Sequence, residues 1–358
     1  MDISKLDKLI KPSVTMAISN KSRDLKSQGK PVIGFGAGEP DFPSPDHVVN
    51  AAINAASDPK NHKYSPAAGL ESLRKVIVET SKQYSGFDIK PNNVIVSNGG
   101  KQSILTAFLS ILDDDDEVLI PAPYWTTYPE AVKIAGGNPV FIDTEKDNNF
   151  KVTVEHLENA KNSNTKMLVW CSPSNPTGVV YTKEEAEEIY EWVFKNDLWI
   201  LSDELYEHLV YEGETSPSPA IYDPELNNTI IVNGVSKAYS MTGWRIGYAA
   251  GNSEVISAMN NLSGQSTSNP TSISQKAAIE AFSGNQGKVV EMLGEFEIRK
   301  EYISSFLNEI EGVECFVPKG AFYVFPDISY YFGKSFKGKV ITNSVSYTHL
   351  TLPTIYSV

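Results

Sequence analysis

From residue 92 onward, short β-rich runs alternate with helical stretches, and no other feature of this chain constrains its fold as strongly. The runs cover residues 94–97, 118–121, 139–143, 167–172, 198–202 and 229–232. A helix is expected over 101–112, with Ile104, Leu105, Phe108, Leu109 and Leu112 on one face. A second is expected over 182–196, opened by a Thr-x-x-Glu capping pattern at Thr182 and Glu185. Strands that alternate with helices dictate an α/β domain with a mostly parallel sheet flanked by helices. Residues 289–311 read as one long helix, with Met292, Phe296, Ile298, Ile303 and Phe306 among its apolar positions, leading into a second domain. The length of 358 residues also calls for a large domain plus a smaller one. Ahead of the alternation, residues 1–30 read as a polar arm with a short helix, and a helix is expected to start near Ser44 with Pro45 at its first position.

Composition narrows the function. Hydrophobic residues make up 41% and charged residues 21%, as in an ordinary globular protein. The formal net charge of -13 argues against a nucleic-acid or anionic-membrane binder, although a local pocket can still invert that sign. Two cysteines, Cys171 and Cys315, form neither a disulfide framework nor a zinc pattern, so a reducing compartment is expected. The N-terminus has no apolar h-region and no run reaches membrane-spanning length, which places the expected location in the cytoplasm. The acidic run 113–117 sits between a helix and a strand and reads as a solvated turn.

Four blocks carry chemistry. In VNGVSKAYSMTGWRIGY (232–248), Lys237 follows the end of a β-run and Arg245 comes eight residues later. A lone lysine is usually a surface residue; one held beside a fixed guanidinium can serve as a nucleophile next to an anion site. In LSDELY (201–206), Asp203 stands at the carboxyl end of a strand, where α/β sheets place ligands, although helix capping is an equally common use of such an aspartate. In CSPSNPTG (171–178), Pro173 and Pro176 force an extended, turn-rich path around Asn175; Cys171 reads as a small buried apolar residue. In SNGGKQ (97–102), Gly99 and Gly100 open a helix whose first amides suit a phosphate. By contrast, Gly34-x-Gly36-x-Gly38 is no dinucleotide loop, because Glu39-Pro40-Asp41 follows instead of a helix.

Together these blocks resemble the class I aminotransferases that depend on pyridoxal 5'-phosphate (PLP), specifically the bacterial aspartate aminotransferase subgroup, over about residues 5–343. The resemblance implies the PLP-transferase fold type I, with a second, smaller α+β domain. It implies that Lys237 carries PLP as a Schiff base and moves the substrate α-proton, and that Asp203 faces the pyridine nitrogen, whose protonated form draws electrons from the α-carbon. Arg245 and Ser236 are then the phosphate ligands, with Gly100, Lys101 and Gln102 at the helix start. Tyr64, in KYSPAAG, reaches the phosphate of a neighbouring subunit, which implies a homodimer. Trp125 stacks on the ring, while Tyr206 and Asn175 contact its oxygen. Substrate contacts fall to Gly38, Trp125 and Asn175; a distal carboxylate is received by Lys101 with hydroxyls of Ser13 and Thr15. No metal is implied.

The expected reaction moves the amino group of an L-amino acid, most specifically aspartate, to 2-oxoglutarate. Prephenate or aromatic transamination, β-elimination on the same fold, an effector-binding module and an inactive fragment stay open as alternatives. Two departures from the family pattern stand out. Gly234 replaces the hydroxyl residue three positions before the lysine, and no arginine follows Arg299 to match the family's α-carboxylate clamp. The expected organisation is an arm and the start of the small domain over 1–45, a PLP-binding domain over 46–285 and a partial, C-terminally truncated small domain over 286–344. Residues 345–358 break the preceding pattern, and codons 345–350 can match the end of a transposon-type sequencing adapter read in frame. A cloning or assembly-derived tail is expected there.

Overall fold

The computed structural model describes residues 4–342, apart from 35–37, 87, 214 and 337. The expected tail at 345–358 lies outside the described residues. Seven strands form the main sheet: β1 (Val94–Ser97), β2 (Glu117–Pro121), β3 (Asn138–Ile142), β4 (Thr165–Cys171), β5 (Trp199–Asp203), β6 (Thr229–Gly234) and β7 (Gly247–Ala250). Their order is β1-β7-β6-β5-β4-β2-β3. All pairings are parallel except those of β7, which runs antiparallel between β1 and β6. The sequence reading missed β7. Its residues, Gly-Tyr-Ala-Ala, include no β-branched side chain, so they carry no strand signature of their own.

The helices are α1 (Lys5–Leu9), α2 (Val14–Ser27), α3 (Asp46–Ser57), α4 (Glu71–Tyr84), α5 (Gly100–Ile111), α6 (Thr127–Ile134), α7 (Val154–Ala160), α8 (Lys183–Lys195), α9 (Ser253–Ser266), α10 (Ser272–Ser283) and α11 (Gly287–Asn308). Alternation along the strands sorts side chains to the two faces. Val94, Val96, Ile231 and Tyr248 pack with Val48 of α3, Leu73 and Ile77 of α4 and Ala277 of α10. Ile95, Val118, Ile120, Leu201 and Val232 pack instead with Ile104 and Phe108 of α5 and Met259 of α9. A third cluster joins Leu168, Trp170 and Ile200 to Ile189, Trp192 and Val193 of α8. Thr182 and Glu185 form the expected capping box on α8.

One local expectation differs. Pro45 is the N-cap of α3 and not its first residue, because Ser44 is held back by the loop around Ser240. On α11, Met292 and Phe296 are buried, whereas Ile298 (65% exposed) and Phe306 (55% exposed) face outward. The acidic run closes on itself, with the Asp113 amide donating to Asp116 at 2.9 Å.

After α11, a short antiparallel pair, β8 (Glu314–Cys315) and β9 (Pro326–Asp327), frames the segment 316–325. That segment is stitched onto the main domain. Lys319 and Gly320 amides donate to Gly178 O at 3.0 and 2.9 Å, the Ala321 amide donates to Leu209 O at 2.8 Å, and Gly320 bridges Val210. Gly178 holds a φ of 72°, and a Cβ there would lie 2.5 Å from Pro318, so both conformation and contact demand glycine. Because β1, β2, β4, β5 and β6 share one direction, their carboxyl ends meet along one edge. Each of the chemistry-bearing blocks follows one of those ends.

Candidate active site

Lys237 lies at the centre of that edge. Gly234 ends β6 opposite Gly247, and a Cβ on it would sit 2.8 Å from the Gly247 Cα, so this close crossing leaves no room for a hydroxyl-bearing side chain. Three residues on, Lys237 Nζ donates to the Gly38 carbonyl at 2.5 Å and lies 5.8 Å from the ring centres of both Tyr206 and Phe322. Burial pulls the amine down to about 8; Asp203 and Glu39 oppose that shift, and Arg245 adds to it. The segment carrying Gly38 crosses the lysine loop and is tied to it at three points. Ser240 Oγ donates to Phe42 O at 2.6 Å, Ser44 Oγ donates to Ser240 O at 2.8 Å, and Thr242 Oγ1 donates to Glu39 at 3.2 Å.

Asp203 ends β5 and is buried. Burial pushes its carboxyl up, while the Tyr128 hydroxyl, the Leu205 amide and the Lys237 ammonium favour the ionised form. Tyr128 Oη donates to Oδ2 at 2.7 Å and the Leu205 amide to Oδ1 at 3.3 Å. Cys171, at the end of β4, is pushed up to about 12 by burial and stays a thiol. Tyr206 Oη and Tyr323 Oη are 2.6 Å apart.

An anion cradle flanks the amine. Helix α5 starts without a side-chain cap, behind Gly99 at a φ of 87°, so its first amides keep their polarity for a ligand. Arg245 adopts a left-handed φ of 57°, and its Nη1 and Nη2 donate to Thr242 O (2.9 Å) and Asn98 O (3.1 Å). A methyl on Gly99 would collide with Arg245 Nη2. Gln102 braces the loop by accepting from the Asn98 amide at 2.6 Å and donating to Thr267 at 2.6 Å. Gly99→Ala is therefore expected to cost about 1–2 kcal/mol, read from urea unfolding, and to weaken a phosphate-bearing ligand about tenfold in a binding titration.

The remaining sequence-predicted residues fall at varied distances from this centre. Lys101 Nζ leans over the Trp125 ring at 5.2 Å; burial and then Arg245 lower its proton affinity. Trp125 packs edge-on against Tyr128 at 5.5 Å. Asn175 shares a cavity with Tyr124, Tyr128 and Cys171. Ser236 is buried in the lysine loop. Ser13 caps α2, accepting from the Met16 amide at 3.4 Å, and the adjacent arm docks on α6, with the Lys11 amide donating to Glu130 at 2.9 Å. The Thr15 side chain lies outside the described residues. Tyr64 is 91% exposed and joins no part of the site within one chain. Sequence reasoning missed Tyr128, Tyr323, Phe322 and Glu39. Tyr128 had a weak signal, three residues past Trp125 at the start of a helix; Tyr323 is 117 residues from its partner Tyr206.

The comparisons with known proteins give the family and the fold. The family profile for "Aminotransferase class I and II" matches residues 30–357. The chain belongs to that family. An aspartate aminotransferase of Streptomyces avermitilis is 48% identical over 344 residues, covering 96% of this chain and 84% of the relative.

 A probable aspartate/prephenate aminotransferase of Rhizobium leguminosarum is 46% identical over 335 residues, covering 93% of this chain and 84% of the relative. Among solved structures, the aspartate aminotransferase from Rhizobium meliloti superposes with a TM-score of 0.95 at 38% identity, covering 100% of this chain and 90% of that one. The fold of this aminotransferase is therefore that of the fold-type I transferases, with the mostly parallel seven-stranded sheet at its centre.

Proposed function

We propose that this aminotransferase moves the amino group of L-aspartate to 2-oxoglutarate with pyridoxal 5'-phosphate as its cofactor. The observation that carries the reading is the half-buried Lys237 amine at the carboxyl edge of the sheet, which donates to Gly38 O and feels the charges of the Asp203 carboxylate and the Arg245 guanidinium. The glycine-lined cradle fits a phosphate, since a Cβ at Gly99 would fill the space against Arg245. Arg245, Ser236 and the start of α5 at Gly100, Lys101 and Gln102 would hold the phosphate. Asp203 would face the pyridine nitrogen, Trp125 the ring, and Tyr206 and Asn175 the ring oxygen. When bound, the cofactor supplies an electron sink for the substrate α-carbon.

The chain's own residues do the rest. Lys237 Nζ, whose neutral form is populated near pH 8, takes the α-proton and returns it. Gly38 and Asn175 would orient the substrate, and Lys101, with Ser13 and Thr15 on the arm, would receive a distal carboxylate. The bare Tyr64 ring supports a homodimer in which it reaches the partner's phosphate. No helix among the described residues is long and apolar enough to cross a membrane; a cytoplasmic location is part of the proposal. So is the division into an arm with the start of the small domain (1–45), a large domain (46–285) and further small-domain residues (286–344).

The name of the Rhizobium leguminosarum relative favours prephenate as a second amino acceptor. The test is glutamate formation from L-aspartate and 2-oxoglutarate, run beside aspartate and prephenate. Glutamate production supports the reading; release of ammonia and an oxo acid without any acceptor would assign a lyase instead.

A further inference from the structure

Tyr323 enters the site from the segment after α11, and the mechanism above leaves it without a role. Its position is closely determined. Ala321, two residues before it, holds a left-handed φ of 55°, with its amide donating to Leu209 O at 2.8 Å and its carbonyl accepting from the Tyr211 hydroxyl. This clamp turns Phe322 and Tyr323 inward, where their rings pack at 4.9 Å and Tyr323 meets Tyr206 edge-on at 5.6 Å. The Tyr323 hydroxyl also presses on Gly38, where a Cβ would collide with it.

The Tyr206–Tyr323 contact of 2.6 Å has a direction that proton counting decides. A phenol has one proton and can also accept. If Tyr206 donates to the cofactor ring oxygen, as the proposed function requires, that proton is spent, and the bond between the tyrosines must run from Tyr323 to Tyr206. A hydroxyl that accepts a hydrogen bond becomes a better donor. We propose that Tyr323 is a positioning residue that donates to Tyr206 and thereby directs and strengthens the single proton Tyr206 offers to the ring oxygen. The inference rests on the PLP reading. Asp203 and Cys171 face both hydroxyls, and burial holds both phenols protonated, with Tyr323 pushed up to about 12.

The test is the pH titration of visible absorbance in PLP-loaded protein, for the wild type, Tyr323→Phe, Tyr206→Phe and the double variant. A donor to the ring oxygen favours the form with more negative charge there, which is the deprotonated one. Weakening it in Tyr323→Phe is expected to move the midpoint to higher pH by about fivefold in proton concentration. In the Tyr206→Phe background the same substitution should move nothing further. An unchanged midpoint in Tyr323→Phe, or an equal shift in both backgrounds, overturns the inference while the PLP reading stands. A wild-type chain that forms no visible band with PLP overturns both.

Discussion

Lys237→Ala is expected to lower turnover on the order of 10⁴-fold, the range lost when a positioned acid–base group is removed. The fold should survive, since Lys237 contributes one hydrogen bond to Gly38 O and its burial as a cation is unfavourable. The pH dependence follows from the amine's depressed proton affinity. Only the neutral amine is a nucleophile, so capture of PLP by the apo chain should accelerate as pH rises and level off above about 8. The stability of the apo chain has the matching sign. Between about 8 and the ordinary lysine value of 10.5 the unfolded state binds more protons than the folded one, so stability rises with pH across that window. Stopped-flow absorbance checks the first statement and urea unfolding at stepped pH the second.

Asp203→Asn should separate activity from stability. The amide keeps an oxygen for the Tyr128 hydroxyl, now 2.7 Å from Oδ2, but removes the charge. Turnover is expected to fall about 10²–10³-fold, as when one preorganised electrostatic partner is lost. The unfolding midpoint should hold or rise, because burial opposes the Asp203 charge in the native state. A parallel loss of stability and activity would place Asp203 in a structural role. Steady-state kinetics and urea unfolding on the same preparation decide between them.

Much of the sheet was legible because β-branched runs announce strands locally. The runs at 94–97 and 229–232 lie within β1 and β6. The short β7 was not legible, since Gly-Tyr-Ala-Ala becomes a strand through its neighbours on both sides. The Lys237, Asp203 and Arg245 positions stood out because each follows or precedes a strand end in a dense block. Tyr128 and Tyr323 did not: each acts through a partner that only the fold supplies, Asp203 for one and Tyr206 for the other. The apolar positions of α11 were legible, but not which of them are covered: Met292 and Phe296 are buried while Ile298 and Phe306 face outward.

The most direct test of the central claim is the visible absorbance of the purified chain with PLP, before and after L-aspartate, beside Lys237→Ala. The account predicts a band in the wild type that shifts to shorter wavelength on adding aspartate and is missing from the variant. A wild type without the band, or a variant with the same band and the same response, would contradict it.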